Sequence, residues 1–389
     1  MPKPVSANSQ LKARVALVAI SLVVGLVFCE VFLRLFAPQV VRRPVLWGYD
    51  AELGWGHIAG AAGRLISPEF DVEVRINADG FRDRERHADK PPDSRRILVF
   101  GDSFAEGWGV ALDDSFSEEL HGCLAIADGG TEVEVVNFGV AGYGTDQELL
   151  LFRRQGALYR PDDVVVLFYG NDLWNNQSRK GIGSERGFKP YFQMSKMGSL
   201  VLRGVPVPKS RYWDFQEGTW KLPLAKRLQR YLHQHWHALA LIDKALRSSP
   251  VSAEQQRRYY HGLYGRSETA DETKAWRLTA AIIREFQRAV TAVGGRFHLV
   301  YVPAIVQVEE EDWRMKRQLH GLAGEDFDLQ KPNRRLRAIA IDHQISFTDL
   351  TPRFVAEART RTLYFRDSHW NEAGHALAAA VVAEEIASR

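Results

Sequence analysis

Five short apolar runs alternate with longer amphipathic stretches, and this alternation limits the possible folds more than any other feature of the chain. The runs are "RRILVFG" (95–101), "VEVVNFG" (133–139), "DDVVVLFYGND" (162–172), "RFHLVYVP" (296–303) and "ISFTDL" (345–350). Continuous apolar runs of this length suit strands covered on both faces, as in a parallel sheet. The intervening stretches predict helices. One starts at Ser115, where Ser115 and Glu118 have the spacing of a capping box, and another follows the similar pair Thr145 and Glu148. A third, from about residue 273, repeats Trp276, Ile282, Ile283, Phe286 and Val290 near helical spacing and stops at Gly294-Gly295. A basic helix over 333–343 and a last helix from about Glu372 complete the pattern. The expected class is α/β: a three-layer α/β/α sandwich around a five-stranded parallel sheet.

Ligands of such sheets sit beyond the carboxyl ends of the strands. Three predicted strands end on polar, glycine-bearing tips: Gly101-Asp102-Ser103, Asn137 to Gly142, and Gly170-Asn171. All three should therefore meet along one edge. A serine hydroxyl there becomes a nucleophile once a base takes its proton. "FRDSHWNEAGH" near the C-terminus supplies His369 as that base and Asp367 to orient it. Backbone N–H groups freed by glycine, or a side-chain amide, could hold an oxyanion. Plainer roles exist for each residue. Ser103 could cap a helix, Gly142 and Gly144 could shape a turn, and Asn171 could be a turn residue. His375 is a rival base, expected to face inward on the last helix.

Taken together and in order, "VFGDSF" (99–104), "NFGVAGYGT" (137–145), "YGND" (169–172) and "DSHW" (367–370) resemble the four blocks of the SGNH (GDSL-type) hydrolase family. The resemblance implies a flavodoxin-like sheet and an ester-cleaving enzyme that needs no metal or organic cofactor. It implies Ser103 as nucleophile, His369 as base and Asp367 as orienting acid. The oxyanion would be held by the N–H groups of Ser103 and Gly142 and the amide of Asn171, with Asp102 structural. "INADGFRD" (76–83) and "EVFLRLF" (30–36) resemble a membrane-anchored bacterial branch of the family. One departure is the D-x-H spacing of Asp367 and His369, where many members have D-x-x-H. Relatives involved in exopolysaccharide acetylation share the shorter form. The acyl acceptor, water or a sugar hydroxyl, is thus left open. The expected substrate is a small ester or an acylated carbohydrate. An O-acyltransferase or a non-catalytic carbohydrate-binding protein are the alternatives.

Val15 to Ala37 is almost wholly apolar and would extend ~34 Å as a helix, enough to cross a bilayer. Glu30 and Arg34 interrupt it four residues apart, a spacing that lets them pair on one face. No small-x-small cleavage site follows, so a membrane anchor is expected over a signal peptide or a buried core helix. Lys3, Lys12 and Arg14 precede the span while Arg34, Arg42 and Arg43 follow it, a tie in flanking charge. The short basic tail favours a bacterial inner-membrane protein with its catalytic domain outside the cytoplasm. The expected division is a tail (1–14), the anchor (15–37), a linker and lead-in (38–94), and a hydrolase domain (95–389).

An insertion over about 174–270 carries Trp174, Tyr191, Phe192, Tyr212, Trp213, Trp220, Trp236, Tyr259 and Tyr260. It is expected to arch over the site, its rings either lining a substrate pocket or packing a subdomain. His233 and His237 lie four apart within it but lack a cysteine or carboxylate partner, so a helix face fits them better than a metal. With a net charge of +3 and no long basic run, nothing points to a nucleic-acid partner. Two cysteines cannot form a disulfide framework.

Overall fold

Strand β1 (Arg95–Gly101) is buried on both faces, its side chains alternating between two apolar layers. Leu98 and Phe100 join one core cluster, while Ile97 and Val99 join the other. β2 (Val133–Asn137), β3 (Asp163–Phe168), β4 (Arg296–Tyr301) and β5 (Ser346–Asp349) follow in the chain. The sheet order is β5-β4-β3-β1-β2, with every pairing parallel. That is the flavodoxin-like 2-1-3-4-5 arrangement. Gly101 pairs with Leu167, Tyr301 with Phe168, and Asp349 with Tyr301, so the strands finish along one edge.

The computed structural model describes residues 7–39, 43–127, 132–181, 187–213, 224–247, 253–322 and 326–387. Lys3, Arg42 and Trp220 lie outside them. The labelled helices are α1 (Ala7–Phe36), α2 (Phe116–Ala127), α3 (Thr145–Arg154), α4 (Leu224–His235), α5 (His237–Arg247), α6 (Ala270–Thr291), α7 (Lys331–His343) and α8 (Glu372–Ala387). Helices α3, α6 and α7 bury their apolar faces on one side of the sheet. Helices α2 and α8 cover the other. The three-layer sandwich expected from the sequence is the fold observed.

Two expected capping boxes do not form, and charge explains both. Ser115 Oγ sits 3.5 Å from the Glu118 N–H, but the Glu118 carboxylate turns to Arg84, 2.9 Å away. At α3 the cap position is Gly144. Thr145 instead donates its N–H and its hydroxyl to Asp172 Oδ1, at 2.7 and 2.8 Å. A complete box opens α6 at Thr269 and Glu272, a few residues before the start read from the sequence.

Residues 38–94, read as linker and lead-in, are more ordered than expected. Trp47–Asp50 and Gly54–His57 form an antiparallel hairpin, and Trp55 and Phe81 are buried in the main core. The chain forms two compact units. The larger holds the sheet; the smaller holds Met1–Arg43, Leu65–Asp71 and Thr219–Pro250. The insertion is therefore divided between them. Phe192, Trp213 and Tyr260 are core residues of the larger unit, with Trp174, Tyr212 and Tyr259 packed against that core. Packing is what these rings do.

The loop after β2 is bolted to the turn after β1. Asn137 donates its side-chain amide to the Ala105 carbonyl at 2.9 Å, and its Oδ1 accepts the Gly139 N–H at 2.8 Å. A Cβ at Gly139 would stand 2.5 Å from the Ala105 carbonyl carbon and 2.7 Å from its Cβ. Gly139→Ala should therefore lower stability by ~1–3 kcal/mol through overpacking. Urea titration of the two proteins measures it.

Candidate active site

β1 ends at Gly101, and the chain turns at once into a single helical turn, Ser103–Glu106. Gly101 is required by closeness: a Cβ there would lie 2.9 Å from Ala105 Cβ and 3.1 Å from Leu167 Cβ. Asp102 caps the turn, its Oδ1 accepting the Phe104 N–H at 3.0 Å. Ser103 follows at the rim, with its Oγ 2.8 Å from His369 Nε2. The two residues are 266 positions apart.

His369 is presented by the loop before α8. Its ring lies beside Phe104 and Trp108, with centroids at 5.3 and 5.7 Å. Nδ1 is 3.1 Å from Asp367 Oδ1, close but not aligned as a hydrogen bond. Such alignments commonly tighten only when substrate is bound. The D-x-H spacing works because Ser368, between them, takes a left-handed conformation with φ 73°. The His369 carbonyl then accepts the Phe365 N–H at 2.8 Å, closing the loop. Asp367 accepts hydrogen bonds from the His369 backbone N–H at 3.1 Å and from the Trp108 indole at 2.9 Å. Burial pushes its carboxyl up, but His369 and Trp108 outweigh that and bring it down to about 2.

The predicted oxyanion donors are also at this edge. Gly142 has φ 82°, a left-handed conformation that suits glycine. Neither its N–H nor that of Ser103 has an acceptor among the described residues. Asn171 donates one amide hydrogen to Asp102 Oδ2 at 2.8 Å, which fixes the amide plane and leaves its second hydrogen unused. His375, the rival base, is buried inside α8, and its Nδ1 accepts the Phe116 N–H at 3.2 Å. Burial pushes it down to about 3. It is a neutral cap for α2, remote in role from a base.

A sequence profile of the GDSL-like lipase/acylhydrolase family matches residues 99–323, more than half of the chain. The chain belongs to this family. A second profile, the SGNH hydrolase-like domain of the acetyltransferase AlgX, matches residues 263–389. Among solved structures, the chain is similar to TesA at 14% identity and TM-score 0.38, covering 75% of this chain and 98% of that one. It is also similar to a catalytic mutant of Axe2, an acetylxylan esterase from Geobacillus stearothermophilus. There the identity is 14% and the TM-score 0.40, covering 77% and 96%. An α/β hydrolase enzyme from the metagenome of Lake Arreo, Spain, matches at 13% and 0.38, covering 75% and 94%. No curated protein matches the chain. As a GDSL-type SGNH protein, it is a serine hydrolase acting on esters.

Beneath the GDSL serine lies a support that the sequence reading missed. Glu106, three residues after Ser103, is buried. Its Oε2 accepts the Ala141 N–H at 2.5 Å, the His57 Nε2 proton at 3.0 Å and the Trp47 indole at 3.3 Å. Burial raises its carboxyl, yet His57 and the Ala141 N–H bring it below the ordinary value. Arg82 inserts from the lead-in and donates to the carbonyls of Glu106, Gly107 and Val110. Burial lowers this guanidinium to about 10. Asp83 accepts the Asn137 N–H at 2.8 Å, and burial pushes it up to about 6 against the pull of Arg86. "GFRD" (80–83) was the available signal; its arginine and aspartate brace two loops of the site.

Two outcomes follow. Glu106→Ala strands the buried His57 and Ala141 donors and should cost about 3–5 kcal/mol, with Glu106→Gln costing less; thermal melts compare them. Asp367 is ionised to lower pH when folded than the ~4 of a free carboxyl. Its contribution is therefore complete above that value and lost as pH falls through about 2. Asp367→Asn should flatten the rise of stability with pH across that window, read by denaturant titration. The slope due to Asp163, also held at about 2, should remain.

Proposed function

We propose that this protein is a membrane-tethered serine esterase that removes O-acyl groups from an envelope or secreted polysaccharide. The observation that carries the catalytic reading is the 2.8 Å contact between Ser103 Oγ and His369 Nε2. Ser103 attacks the ester carbonyl as its hydroxyl proton passes to Nε2. Asp367 steadies the imidazolium. The N–H groups of Ser103 and Gly142 and the spare amide hydrogen of Asn171 hold the developing oxyanion. The imidazolium then gives its proton to the departing alcohol, leaving an acyl-serine. Water, deprotonated by His369, releases the acid and restores Ser103.

The tether reading is supported by the 25-residue run Lys12–Phe36, within which an 18-residue stretch reaches a mean hydropathy of 2.7, suited to a bilayer crossing. A single-pass inner-membrane protein with its catalytic unit outside the cytoplasm is the proposed placement. A second reading, O-acyl transfer to a sugar hydroxyl, is favoured by the AlgX-type profile over residues 263–389. It uses the same acyl-serine and differs only in the acceptor.

A fluorophosphonate probe should label the folded protein and fail to label Ser103→Ala; equal labelling of both would end the enzyme reading. With a panel of short and long acyl esters and acetylated sugars, Ser103→Ala and His369→Ala should each lose on the order of 10⁴-fold in turnover. Asn171→Ala should lose roughly 10²–10³-fold. Adding an oligosaccharide acceptor separates the two fates. Acyl-sugar formed at the expense of free acid favours transfer.

A further inference from the structure

The smaller unit joins segments that are far apart in the chain, and it gives the two charges of the apolar helix a purpose. Glu30 is buried. One carboxylate oxygen accepts the His237 N–H at 3.0 Å and the other accepts the Ala238 N–H at 2.9 Å. These belong to the first turn of α5, whose N–H groups have no partner within the helix and whose dipole favours a negative charge. Arg34 completes the fastening. Its Nε pairs with Glu30 at 2.8 Å, as the four-residue spacing led us to expect, and its Nη2 donates to the His235 carbonyl at 2.6 Å. Beyond the helix, the Gln39 N–H reaches His237 Nδ1 at 3.0 Å. The junction of α4 and α5 is thus bolted to the last turns of α1.

Helix α4 carries a largely exposed apolar face, on which Tyr231 meets the His235 ring of its own helix with centroids 4.3 Å apart. Leu224, Leu228 and Tyr231, spaced i, i+4 and i+7, are 79%, 54% and 57% exposed. That spacing places all three on one side of the helix. On α5, Leu241 and Ile242 are exposed as well. The bolt fixes where this face must be. Glu30 lies six residues before Phe36, or ~9 Å along the helix axis, close to the level where acyl chains give way to headgroups. The preceding turns of α1 show their apolar side chains outward, Leu17, Leu22 and Phe28 among them.

We propose that α4 lies in the headgroup region of the bilayer, with Leu224, Leu228 and Tyr231 turned toward the acyl chains. Part of the insertion thereby forms a collar around the foot of the anchor. A helix with one apolar face binds a lipid surface by burying that face at the acyl boundary, and a tyrosine ring suits that depth. The continuous apolar surface of α1, ending at the collar, identifies lipid as the occupant. This inference rests on reading α1 as a membrane anchor.

The test uses the full chain with Cys29→Ser and Cys123→Ser, reconstituted in vesicles of phosphatidylcholine and phosphatidylglycerol. An environment-sensitive dye is placed at Leu228→Cys, at Tyr231→Cys or, as an anchor reference, at Leu22→Cys. Lipids carry a nitroxide either near the headgroup or at the chain end. The collar requires blue-shifted emission at 228 and 231, quenched by the shallow nitroxide and shielded from aqueous iodide. Iodide access at both positions overturns it. So does shielding without lipid quenching, which indicates a protein partner or a second copy. Quenching at 22 by the deep nitroxide, with none at 228 or 231, removes the collar and keeps the anchor. No quenching at 22 removes the anchor and the collar together.

Discussion

Backbone that leaves the end of a sheet strand loses its ladder partners, and in a buried site it cannot turn to water for replacements. Here carboxylates take up those N–H groups, and the site stands on that substitution. Asp102 accepts Phe104, Glu106 accepts Ala141, Asp83 accepts Asn137, and Asp172 accepts both Tyr169 and Thr145. Each acid joins two segments that meet at the edge, so the loops after β1, β2 and β3 are positioned against one another rather than separately. The N–H groups of Ser103 and Gly142 find no such acceptor, and they are the ones the oxyanion would use.

The arrangement is costly, and the titration shifts show where. Burial raises Asp102, Asp172 and Glu148, three acids in one low-dielectric region. Glu148 has no hydrogen-bond partner for either oxygen among the described residues; burial and the acids Asp172, Asp102 and Asp146 raise it, and Lys189 pulls the other way. Asp146 has Lys189 against it, a buried pair that also ties Lys189 to the Asn175 carbonyl at 3.0 Å, yet burial still leaves its carboxyl above the ordinary value. At this edge burial raises all four acids, and the donors that face Asp102, Asp146 and Asp172 oppose it.

The strands and the reacting residues were legible because each rests on a local signal. A continuous apolar run marks a covered strand, and a glycine-bearing polar tip marks its end. Ser103, Gly142 and Asn171 follow from that rule with the block resemblance, and Asp367 and His369 from the need for a base and its orienting acid with the same resemblance. The supports were not legible because their partners are distant. Glu106 and Ala141 are 35 positions apart, and Asn137 and Asp83 are 54 apart. The capping boxes at Ser115 and Thr145 failed for the same reason. Their local chemistry was correct, but Arg84 and Asp172 arrived from elsewhere and competed successfully. The N-terminal apolar helix shows the converse: Glu30 and Arg34 paired as their spacing requires, while their second task at α5 left no mark in the local sequence.

Whether the acyl group passes to water or to a sugar is a question about exclusion, since the reacting groups are the same for both. About a quarter of the His369 side chain is exposed, with Phe104 and Trp108 flanking its ring. Water therefore reaches the imidazole in the uncovered site, and hydrolysis needs no further component. Transfer demands more. An acceptor hydroxyl must occupy the place beside Nε2 long enough to outcompete water, so the glycan itself would have to close the gap that the aromatic rings leave open. Of the insertion's aromatic residues, Trp174, Phe192, Tyr212, Trp213, Tyr259 and Tyr260 pack in or against the core of the larger unit. On the proposed reading, hydrolysis needs only water at the exposed imidazole, and transfer needs a bound acceptor that excludes it.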